Sequence, residues 1–339
     1  MGNKNILVTG SAGFIGMHLV LRLIKEGYNI VGLDNINDYY ETSLKYSRLE
    51  ECGIDKQKII DETVIKSNRF SNYKFIKVDL LRAERIQILF EEFNFDAVIH
   101  LAAQAGVRYS IENPQTYIDN NIVGFFNIID LARKYKIKNF LYASSSSVYG
   151  NSLEVPFNEE LSVDKPISLY AATKKSNELI AHVYSNIYNL NTTGLRFFTV
   201  YGPWGRPDMA YFSFTNDIIN NKEINVYNNG ELSRDFTYID DIINGVVNVF
   251  QAKFESEIKY ELLNIGNNKP VSLMEFIDTL EMKIGKKATK NFLQMQKGDV
   301  LKTMADISAI SKYNYKANTE IHKGLDNFIN WYKQYYCIK

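Results

Sequence analysis

The segment NILVTGSAGFIG, residues 5–16 of this 339-residue chain, carries the clearest indication of its fold. An apolar run is followed at once by Gly10, Gly13 and Gly16, and then by the helix-like FIGMHLVLRLIKEG. Glycines at the end of a strand allow a tight turn and let the backbone approach a pyrophosphate. The helix that follows directs N–H groups and a partial positive charge toward that group. The stretch therefore predicts the first strand, turn and helix of a dinucleotide-binding domain.

The sequence after this stretch extends the prediction to a whole domain. Strand-like runs, among them NIVGLD, YKFIKVDL, FDAVIHLAA and KNFLYASS, alternate with amphipathic stretches up to about residue 190. Such alternation predicts an α/β fold with a Rossmann-type, doubly wound parallel sheet that helices cover on both faces. The connection between Asp38 and Asn72 is long, and we expect two helices in it, at 44–52 and 55–67.

Beyond residue 190 the alternation loosens, which indicates a second, smaller unit. We expect residues 1–190 to form the nucleotide-binding domain, with a return of the chain to it at about 236–265. Residues 191–235 and 266–339 would form a mixed α/β subdomain that binds the substrate. A cleft is expected between the two parts because no linker separates them.

Composition narrows the class of protein. The 39 Lys and Arg residues balance 39 Asp and Glu residues, which argues against a nucleic-acid groove or a polybasic membrane patch. The apolar runs fall short of the roughly 18 residues that span a bilayer, and the strand-like ILVTG begins too early for a signal peptide. Cys52 and Cys337 lack CxxC spacing, and the four histidines lack metal-ligand spacing. We expect a soluble cytoplasmic protein with free thiols and no metal.

Later strand ends fit the same nucleotide crevice. Asp34 ends the second strand, 18 residues after Gly16, where a carboxylate can accept hydrogen bonds from ribose hydroxyls. It would repel a 2′-phosphate, so NAD is favoured over NADP. HLAAQAG, 100–106, places small residues where the backbone passes the cofactor, whereas we expect His100 in the core. The cofactor-binding residues predicted in this way are Gly10, Gly13, Phe14, Ile15, Gly16, Asp34, Asn35, Asp79, Leu80, Leu101, Ala102, Ala103 and Gln104.

The chemical end of the cleft is indicated by YAATK, which places Tyr170 and Lys174 four residues apart. If 167–188 is helical, both side chains point to one face. A lysine ammonium close to a tyrosine hydroxyl favours the phenolate and lowers the tyrosine pKa from about 10 toward neutrality. Tyr170 would then be a usable base. The four serines of YASSSSVYG, 142–150, stand at the end of the preceding strand.

Together these motifs resemble the extended short-chain dehydrogenase/reductases, and within them the NAD-dependent nucleotide-sugar epimerase/dehydratase family. TGSAGFIG, HLAAQAGVRYS, ASSSSVYG, YAATK, LRFFTVYGP, SRDFTYIDD and NIGN occur in the order of that family along essentially the full chain. LDNINDYYETSLKYSRLE, GPWGRPDMA and MQKGDV resemble the UDP-glucuronate 4-epimerase branch.

The resemblance implies a reaction. A tightly held NAD would take a hydride from C4 of a UDP-sugar and return it to the other face of a transient 4-keto sugar. Tyr170 would remove the O4 proton, Lys174 would hold the nicotinamide ribose and Ser145 would share the O4 proton by a hydrogen bond. The resemblance also implies five further cofactor-binding residues, which are Asn120, Ser144, Tyr170, Lys174 and Phe197.

The resemblance also implies a substrate site. Arg234 would bind the UDP diphosphate with its guanidinium fork, and Asp299 would lie near the uridine ribose. A uronate oxidised at C4 is a β-keto acid that loses CO₂ readily, so its carboxylate must be held. Arg206 is the first candidate, and Arg108 and Thr199 are the next. For Arg108, a contact with the diphosphate or a surface ion pair fits equally well. The predicted substrate-binding residues are Arg108, Ser145, Ser146, Tyr170, Thr199, Arg206, Val226, Tyr227, Arg234 and Asp299.

Other activities stay open at this point. A 4,6-dehydratase or a uronate decarboxylase would carry acidic residues after the catalytic serine, where this chain has Ser146 and Ser147, so both are disfavoured. A 4-epimerase of a neutral UDP-hexose or UDP-N-acetylhexosamine is the closest rival, because the residues after RPDMA carry no basic group. A non-catalytic NAD-binding protein would not need Ser145, Tyr170 and Lys174 together. The resemblance also implies a homodimer through helices near 114–134 and 167–188.

Overall fold

The structure, a computed structural model, describes residues 4–256, 258–296 and 298–338. Among these residues, strands form one large sheet and two small ones. The strands are β1 (Asn5–Thr9), β2 (Asn29–Asp34), β3 (Val64–Lys66), β4 (Tyr73–Lys77), β5 (Ala97–His100), β6 (Asn139–Ser145), β7 (Thr192–Phe197), β8 (Thr199–Tyr201), β9 (Glu223–Tyr227), β10 (Ser233–Tyr238), β11 (Tyr260–Ile265), β12 (Pro270–Ser272) and β13 (Thr289–Leu293).

Helices of very different lengths connect these strands. The α-helices are α1 (Phe14–Lys25), α2 (Thr42–Glu51), α3 (Ala83–Phe93), α4 (Tyr109–Glu112), α5 (Pro114–Tyr117), α6 (Gly124–Lys134), α7 (Leu169–Tyr188), α8 (Ala210–Ile219), α9 (Ile239–Ala252), α10 (Leu273–Ile284), α11 (Ser308–Ser311) and α12 (Ile321–Tyr335). Ile118–Val123 forms π-helical turns, and Lys56–Lys58, Ser146–Tyr149 and Asn228–Gly230 form 3₁₀ turns.

The large sheet has the strand order β11-β7-β6-β5-β1-β2-β4-β3. Its strand pairs are parallel except for β3 and β4. Alternate residues of β1 enter different cores, since successive side chains of a strand point to opposite faces. Leu7 packs with Val98 and Phe140 on one face, while Ile6 and Val8 belong to the core on the other. The predicted Rossmann-type doubly wound fold is therefore confirmed.

The long connection after β2 differs from the prediction in its second half. The helix expected at 44–52 is present as α2, but the helix expected at 55–67 is wrong. Only Lys56–Lys58 is helical there, and Val64–Lys66 pairs with β4 in antiparallel register. The β-branched pair Val64 and Ile65 suits an edge strand, and the open edge of β4 supplies hydrogen-bond partners that the isolated sequence does not reveal.

The bounds of the two units shift relative to the sequence-based expectation. β7 lies in the large sheet beside β6, so the nucleotide-binding unit extends through Phe197 and does not end at residue 190. β10 pairs with β8 and β12 in a small sheet. The chain returns to the large sheet through α9 and β11, within the stretch of about 236–265 expected from the sequence. We retain the division into two units as an interpretation, with these corrected bounds.

The helical stretch expected at 114–134 contains a π-helical segment, which places Asn121 in the interior. The Asn121 side chain accepts a hydrogen bond from the Gln104 N–H at 2.7 Å and donates to the Gln104 carbonyl and the Thr173 hydroxyl, both at 3.0 Å. It thus ties the loop after β5 to α7. π-Turns often occur at functional sites, and this one fixes two of the segments that carry predicted site residues.

Candidate active site

A cleft of about 800 Å³ opens at the carboxyl ends of the parallel strands. In open α/β sheets ligands bind at this edge. The predicted residues that line the cleft are Gly10, Gly13, Phe14, Ile15, Gly16, Asp34, Asn35, Leu80, Leu101, Ala102, Ala103, Gln104, Arg108, Asn120, Ser144, Ser145, Ser146, Tyr170, Lys174, Phe197, Thr199, Arg206, Tyr227, Arg234 and Asp299. Residues far apart in sequence are therefore brought to one surface.

Two predicted residues lie behind this surface. Asp79 accepts a hydrogen bond from the Asn35 side chain at 2.8 Å and another from the Leu81 N–H at 2.9 Å. Asp79 thus holds the Asn35 side chain, which does line the cleft. The Val226 side chain is fully buried in the core, whereas its neighbours Asn225 and Tyr227 line the cleft.

The glycine-rich turn has the geometry that a dinucleotide requires. Gly10 adopts a φ of +73°, which favours glycine. A Cβ on Gly16 would lie 2.0 Å from the Gly10 carbonyl oxygen. Gly13 precedes α1 and supplies no side-chain cap, so the first N–H groups of the helix remain available for an anion. The turn therefore fits a pyrophosphate.

The end of β2 fits the adenosine ribose. Asp34 is only 8% exposed and accepts hydrogen bonds from the Ala12 N–H at 3.1 Å and the Ile36 N–H at 2.8 Å. A carboxylate has about four acceptor positions, so both oxygens can still accept a ribose hydroxyl. Because Asp34 lines the cleft as an anion, the site fits a dinucleotide that lacks a 2′-phosphate.

The chemical end of the cleft is built on α7. Ser168 begins the helix by accepting the Ala171 N–H at 3.1 Å, which leaves Tyr170 and Lys174 on successive turns that line the cleft. The Lys174 ammonium donates to the Ala143 carbonyl at 2.9 Å. Burial lowers the pKa of Lys174 to about 8, although the negative charge of Glu178 opposes this shift.

The expectation that Lys174 lowers the pKa of Tyr170 is wrong for this structure. Burial raises the pKa of Tyr170, and a hydrogen bond from Ser145 and the positive charge of Arg206 only partly oppose it. The physical reason is that the Lys174 ammonium is directed at the Ala143 carbonyl, whereas enclosure of the phenol penalises its anion.

The serines of the cluster at the end of β6 make different contacts. Ser145 accepts the Ser147 N–H at 3.1 Å and so caps the short 3₁₀ turn, while its hydroxyl also faces Tyr170. Ser144 donates to Glu178 at 2.6 Å. Glu178 forms a buried two-pronged ion pair with Arg196, at 2.8 and 2.9 Å. Sequence reasoning missed this pair, although Glu178 stands four residues after Lys174 on the same helix.

Arg206 lies at the chemical end, in a network that includes two residues missed from sequence. Its guanidinium pairs with Asp208 at 3.0 and 2.5 Å, and the Tyr39 hydroxyl donates to Asp208 at 3.1 Å. The charges of Arg206 and Asp208 both influence the pKa of Tyr170, in opposite directions. RPDMA and DYYETS, the stretches that contain Asp208 and Tyr39, did carry a signal, because both belong to the branch resemblance.

Arg108 joins the opposite end of the cleft. Arg234 donates to Asp299 at 2.9 Å, and the Arg108 guanidinium lies 3.7 Å from the other Asp299 oxygen. Arg108 also stacks over the Tyr227 ring, 5.1 Å from its centroid. Arg108 is therefore grouped with the predicted nucleotide-binding residues and apart from Arg206. Its ion pair with Asp299 and its 59% exposed side chain match the surface ion pair, and the diphosphate contact stays a prediction.

The remaining expectations concern histidine, cysteine and membrane segments. His100 is buried and bonded to the Thr9 hydroxyl at 2.9 Å, and burial lowers its pKa to about 3, which suits a core residue. Cys52 and Cys337 are free thiols, as predicted. Over residues 4–256, 258–296 and 298–338, His, Cys, Asp and Glu form no cluster of three that could hold a metal. Within those ranges no helix combines the length and apolarity needed to cross a membrane.

A glycine-rich turn, an acidic residue at the end of β2 and a Ser–Tyr–Lys group in one cleft define a dinucleotide-dependent short-chain dehydrogenase/reductase. The sequence model described as the NAD dependent epimerase/dehydratase family matches residues 6–266, and the chain belongs to this family. The fold and the family predicted from the sequence are thus confirmed.

Known proteins resemble the chain along nearly its whole length. Protein CapI of Staphylococcus aureus is 48% identical, covering 98% of this chain and 99% of that protein. UDP-glucuronate 4-epimerase 6 of Arabidopsis thaliana is 44% identical, covering 99% of this chain and 73% of that protein. The crystal structure of UDP-glucuronic acid 4-epimerase from Bacillus cereus, in complex with UDP-glucuronic acid and NAD, superposes with a TM-score of 0.87. It is 34% identical and the match covers 98% of this chain and 100% of that one.

Replacing Gly16 by alanine should abolish tight dinucleotide binding. The added methyl group would meet the Gly10 carbonyl at 2.0 Å, so the turn must open. We expect NAD affinity to fall by at least about a hundredfold, measured by calorimetry on nucleotide-stripped protein. Gly27→Ala, beyond the other end of α1, is the matched control. It has open space around its Cβ but a φ of +86°, so it should reduce stability by about 1 kcal/mol and leave NAD affinity unchanged. Equal NAD affinities for both variants would contradict this role of the turn.

Proposed function

We propose that this protein is an NAD-dependent UDP-sugar 4-epimerase that interconverts UDP-glucuronate and UDP-galacturonate. The observation that carries the proposal is the placement of Arg206 in the same cleft as Ser145, Tyr170 and Lys174, close enough for its charge to influence Tyr170. A cation beside the proton-transfer group is what a C6 carboxylate requires. The similarity to proteins named UDP-glucuronate 4-epimerase supports the same substrate.

The residues at the dinucleotide end would hold NAD. The Gly10–Gly16 turn would bind the pyrophosphate, Asp34 the adenosine ribose, and Lys174 the nicotinamide ribose. NAD, when bound, supplies reversible hydride transfer at C4 of the sugar. Ser144, fixed by its hydrogen bond to Glu178, would line the nicotinamide side.

Tyr170 and Ser145 would manage the proton on O4. Tyr170 removes this proton as the C4–O4 bond becomes a carbonyl, and gives it back when the carbonyl is reduced. Ser145 faces Tyr170 and would hydrogen-bond O4 throughout. Substrate and product are isomers, so the proton and the hydride are both returned and no external reductant is needed.

Arg206 and the neutral serines would decide which reaction follows oxidation at C4. Arg206 would bind the C6 carboxylate and hinder its departure as CO₂, because loss of CO₂ would remove the anion from its partner. Ser146 and Ser147 provide no carboxylate that could transfer protons at C5 or C6, which disfavours elimination. Return of the hydride is then the favoured outcome.

Purified protein should convert UDP-glucuronate to UDP-galacturonate without added reductant. Proton NMR of the anomeric region distinguishes the two sugars and follows the approach to equilibrium from either side. UDP-glucose and UDP-N-acetylglucosamine serve as neutral comparison substrates. Epimerisation of a neutral sugar with UDP-glucuronate left unchanged would overturn the substrate assignment and favour the neutral-sugar epimerase.

Tyr170→Phe should abolish turnover while NAD stays bound, because only the proton-transfer hydroxyl is removed. Turnover is measured by the NMR assay, and bound NAD by its release on denaturation. Tyr188→Phe is the matched control, since it makes the same change near the exposed end of the same helix. Full activity of Tyr170→Phe would refute the assignment of the base.

Arg206→Ala should weaken the binding of UDP-glucuronate far more than that of UDP-glucose. Losing a hydrogen bond to a charged group corresponds to roughly tenfold to a hundredfold in affinity. Calorimetry on the NAD-loaded protein measures both affinities. Arg234→Ala is the control, because a diphosphate contact is common to both sugars and its loss should weaken them equally. A uniform loss in Arg206→Ala would show that Arg206 does not recognise the carboxylate.

We further propose a homodimer formed through α6, α7 and the π-helical segment. On α7, Leu179, Val183 and Ile187 lie at four-residue intervals and are 56%, 46% and 63% exposed. Val123 and Phe126 add exposed apolar surface beside them on the neighbouring helical segment. Such contiguous apolar surface is typical of an interface.

Val183→Lys should therefore give a monomer in sedimentation velocity, since a charge would be buried at the interface. Met282→Lys introduces the same residue at an exposed apolar position of α10 and should leave the dimer intact. A wild-type protein that sediments as a monomer at micromolar concentration would contradict the proposal.

A cytoplasmic location is also part of the proposal. Both cysteines are free thiols, which suits a reducing compartment. Cell fractionation with antibody detection tests it, and recovery of the protein in a secreted fraction would contradict it.

A further inference from the structure

The stretch DYYETSLKYSRL, 38–49, contains a fully buried arginine whose role the proposed chemistry does not explain. Arg48 is 0% exposed. It donates to the Trp204 carbonyl at 3.0 and 2.7 Å and to the Gly205 carbonyl at 2.9 Å. It also donates to the Ala12 carbonyl at 3.2 Å and the Tyr40 hydroxyl at 2.6 Å. Within the described ranges its hydrogen-bond acceptors are thus backbone carbonyls and one hydroxyl, which is unusual for a buried cation.

A second side chain of the nucleotide-binding unit binds the backbone carbonyl that precedes those of Trp204 and Gly205. His18 of α1 lies with Nε2 3.1 Å from the Pro203 oxygen. A carbonyl can only accept, so Nε2 carries the proton, and burial lowers the pKa of His18 to about 4, so the ring is neutral near pH 7. Three consecutive carbonyls, 203–205, are therefore held by Arg48 and His18.

The segment 203–206 needs this support. Trp204 adopts a φ of +64°, a conformation that costs a non-glycine residue about 1 kcal/mol or more. Its ring packs on Trp331 and Tyr335 of α12, with centroids 5.2 and 5.3 Å apart. Two residues after Trp204, the backbone N–H of Arg206 donates to the Tyr211 hydroxyl at 3.2 Å. The backbone that presents Arg206 is thus fixed on both sides in a conformation it would not adopt alone.

We propose that Arg48 and His18 are positioning residues for carboxylate recognition: they hold the 203–205 carbonyls so that Arg206 is aimed at C6 of the sugar. The inference rests on the proposed function, because it concerns the residue assigned to the uronate. The guanidinium that binds Trp204 and Gly205 also binds Ala12, within the glycine-rich turn. The nucleotide turn and the sugar-recognition loop therefore share one buried cation.

The test distinguishes a role of Arg48 and His18 in orienting Arg206 from a role in stabilising the fold. It compares the binding of two sugars to the same folded, NAD-loaded protein. Affinities for UDP-glucuronate and UDP-glucose are measured by calorimetry on the NAD-loaded protein, and KM and kcat for UDP-glucuronate by NMR. His18→Phe removes the N–H and keeps a ring, while His18→Gln restores an N–H at the same distance along the side chain. His182→Phe, on α7 against Tyr260, is the matched control.

His18→Phe and Arg48→Lys should lower the affinity for UDP-glucuronate by about tenfold, or about 1.4 kcal/mol. In His18→Phe, which removes only the contact with the Pro203 carbonyl, the affinity for UDP-glucose and the NAD content should change less than twofold. Arg48→Lys also loses the contact with Ala12, so this variant is judged by the ratio of its two sugar affinities. KM should rise with kcat nearly unchanged, and His18→Gln should recover most of the loss. If Arg48→Lys does not fold, the comparison of His18→Phe with His18→Gln tests the inference. Equal losses for both sugars, or no loss in His18→Phe, would overturn the inference.

Failure of the proposed function is distinguishable within the same data. It would appear in the wild-type protein, as an absence of UDP-glucuronate turnover in the NMR assay and no preference over UDP-glucose. The positioning inference fails separately when the wild-type protein prefers the uronate and the variants keep that preference.

Discussion

The close approach of Gly16 to the Gly10 carbonyl fixes the turn from which the cleft is built. It permits β1 to turn directly into α1, which leaves the first amides of that helix facing the cleft. Asp34 holds the same turn through the Ala12 N–H, so the end of the neighbouring strand is fixed with it. The order of the parallel strands then brings the serines after β6 to the same edge. The lack of space for a side chain on Gly16 thus helps to fix the position of both ends of the cleft.

Buried charge organises the other half of the site. The Glu178–Arg196 pair lies beneath Ser144 and one turn after Lys174, and the Arg48 guanidinium joins the nucleotide turn to the loop before Arg206. Burying ions costs free energy that paired hydrogen bonds only offset. Such groups contribute little net stability, but each admits few alternative arrangements. This suits a cleft whose proposed reaction oxidises and reduces a sugar at one carbon.

The features that the sequence predicted are those that depend on local pattern. The glycine turn, Asp34 and the Tyr170–Lys174 pair each follow from residues within a few turns of one another, and the structure brings them to one cleft. The misses depend on long-range pairing. Val64–Lys66 becomes a strand because β4 has an open edge, and Tyr39 meets Asp208 across 169 positions of the chain. The pKa of Tyr170 was misjudged because spacing on a helix does not reveal where an ammonium group finds its acceptor or how deeply a phenol is enclosed.

The ion pair between Arg206 and Asp208 has a consequence for turnover. Asp208 already occupies the guanidinium with a carboxylate of the protein's own, so the proposed uronate substrate would have to displace or share a resident competitor. Its affinity would then be the difference between two similar interactions and would stay moderate. Because both C4 epimers carry the same carboxylate, the competitor weakens substrate and product alike. It would therefore speed release in both directions without shifting the equilibrium between the two sugars.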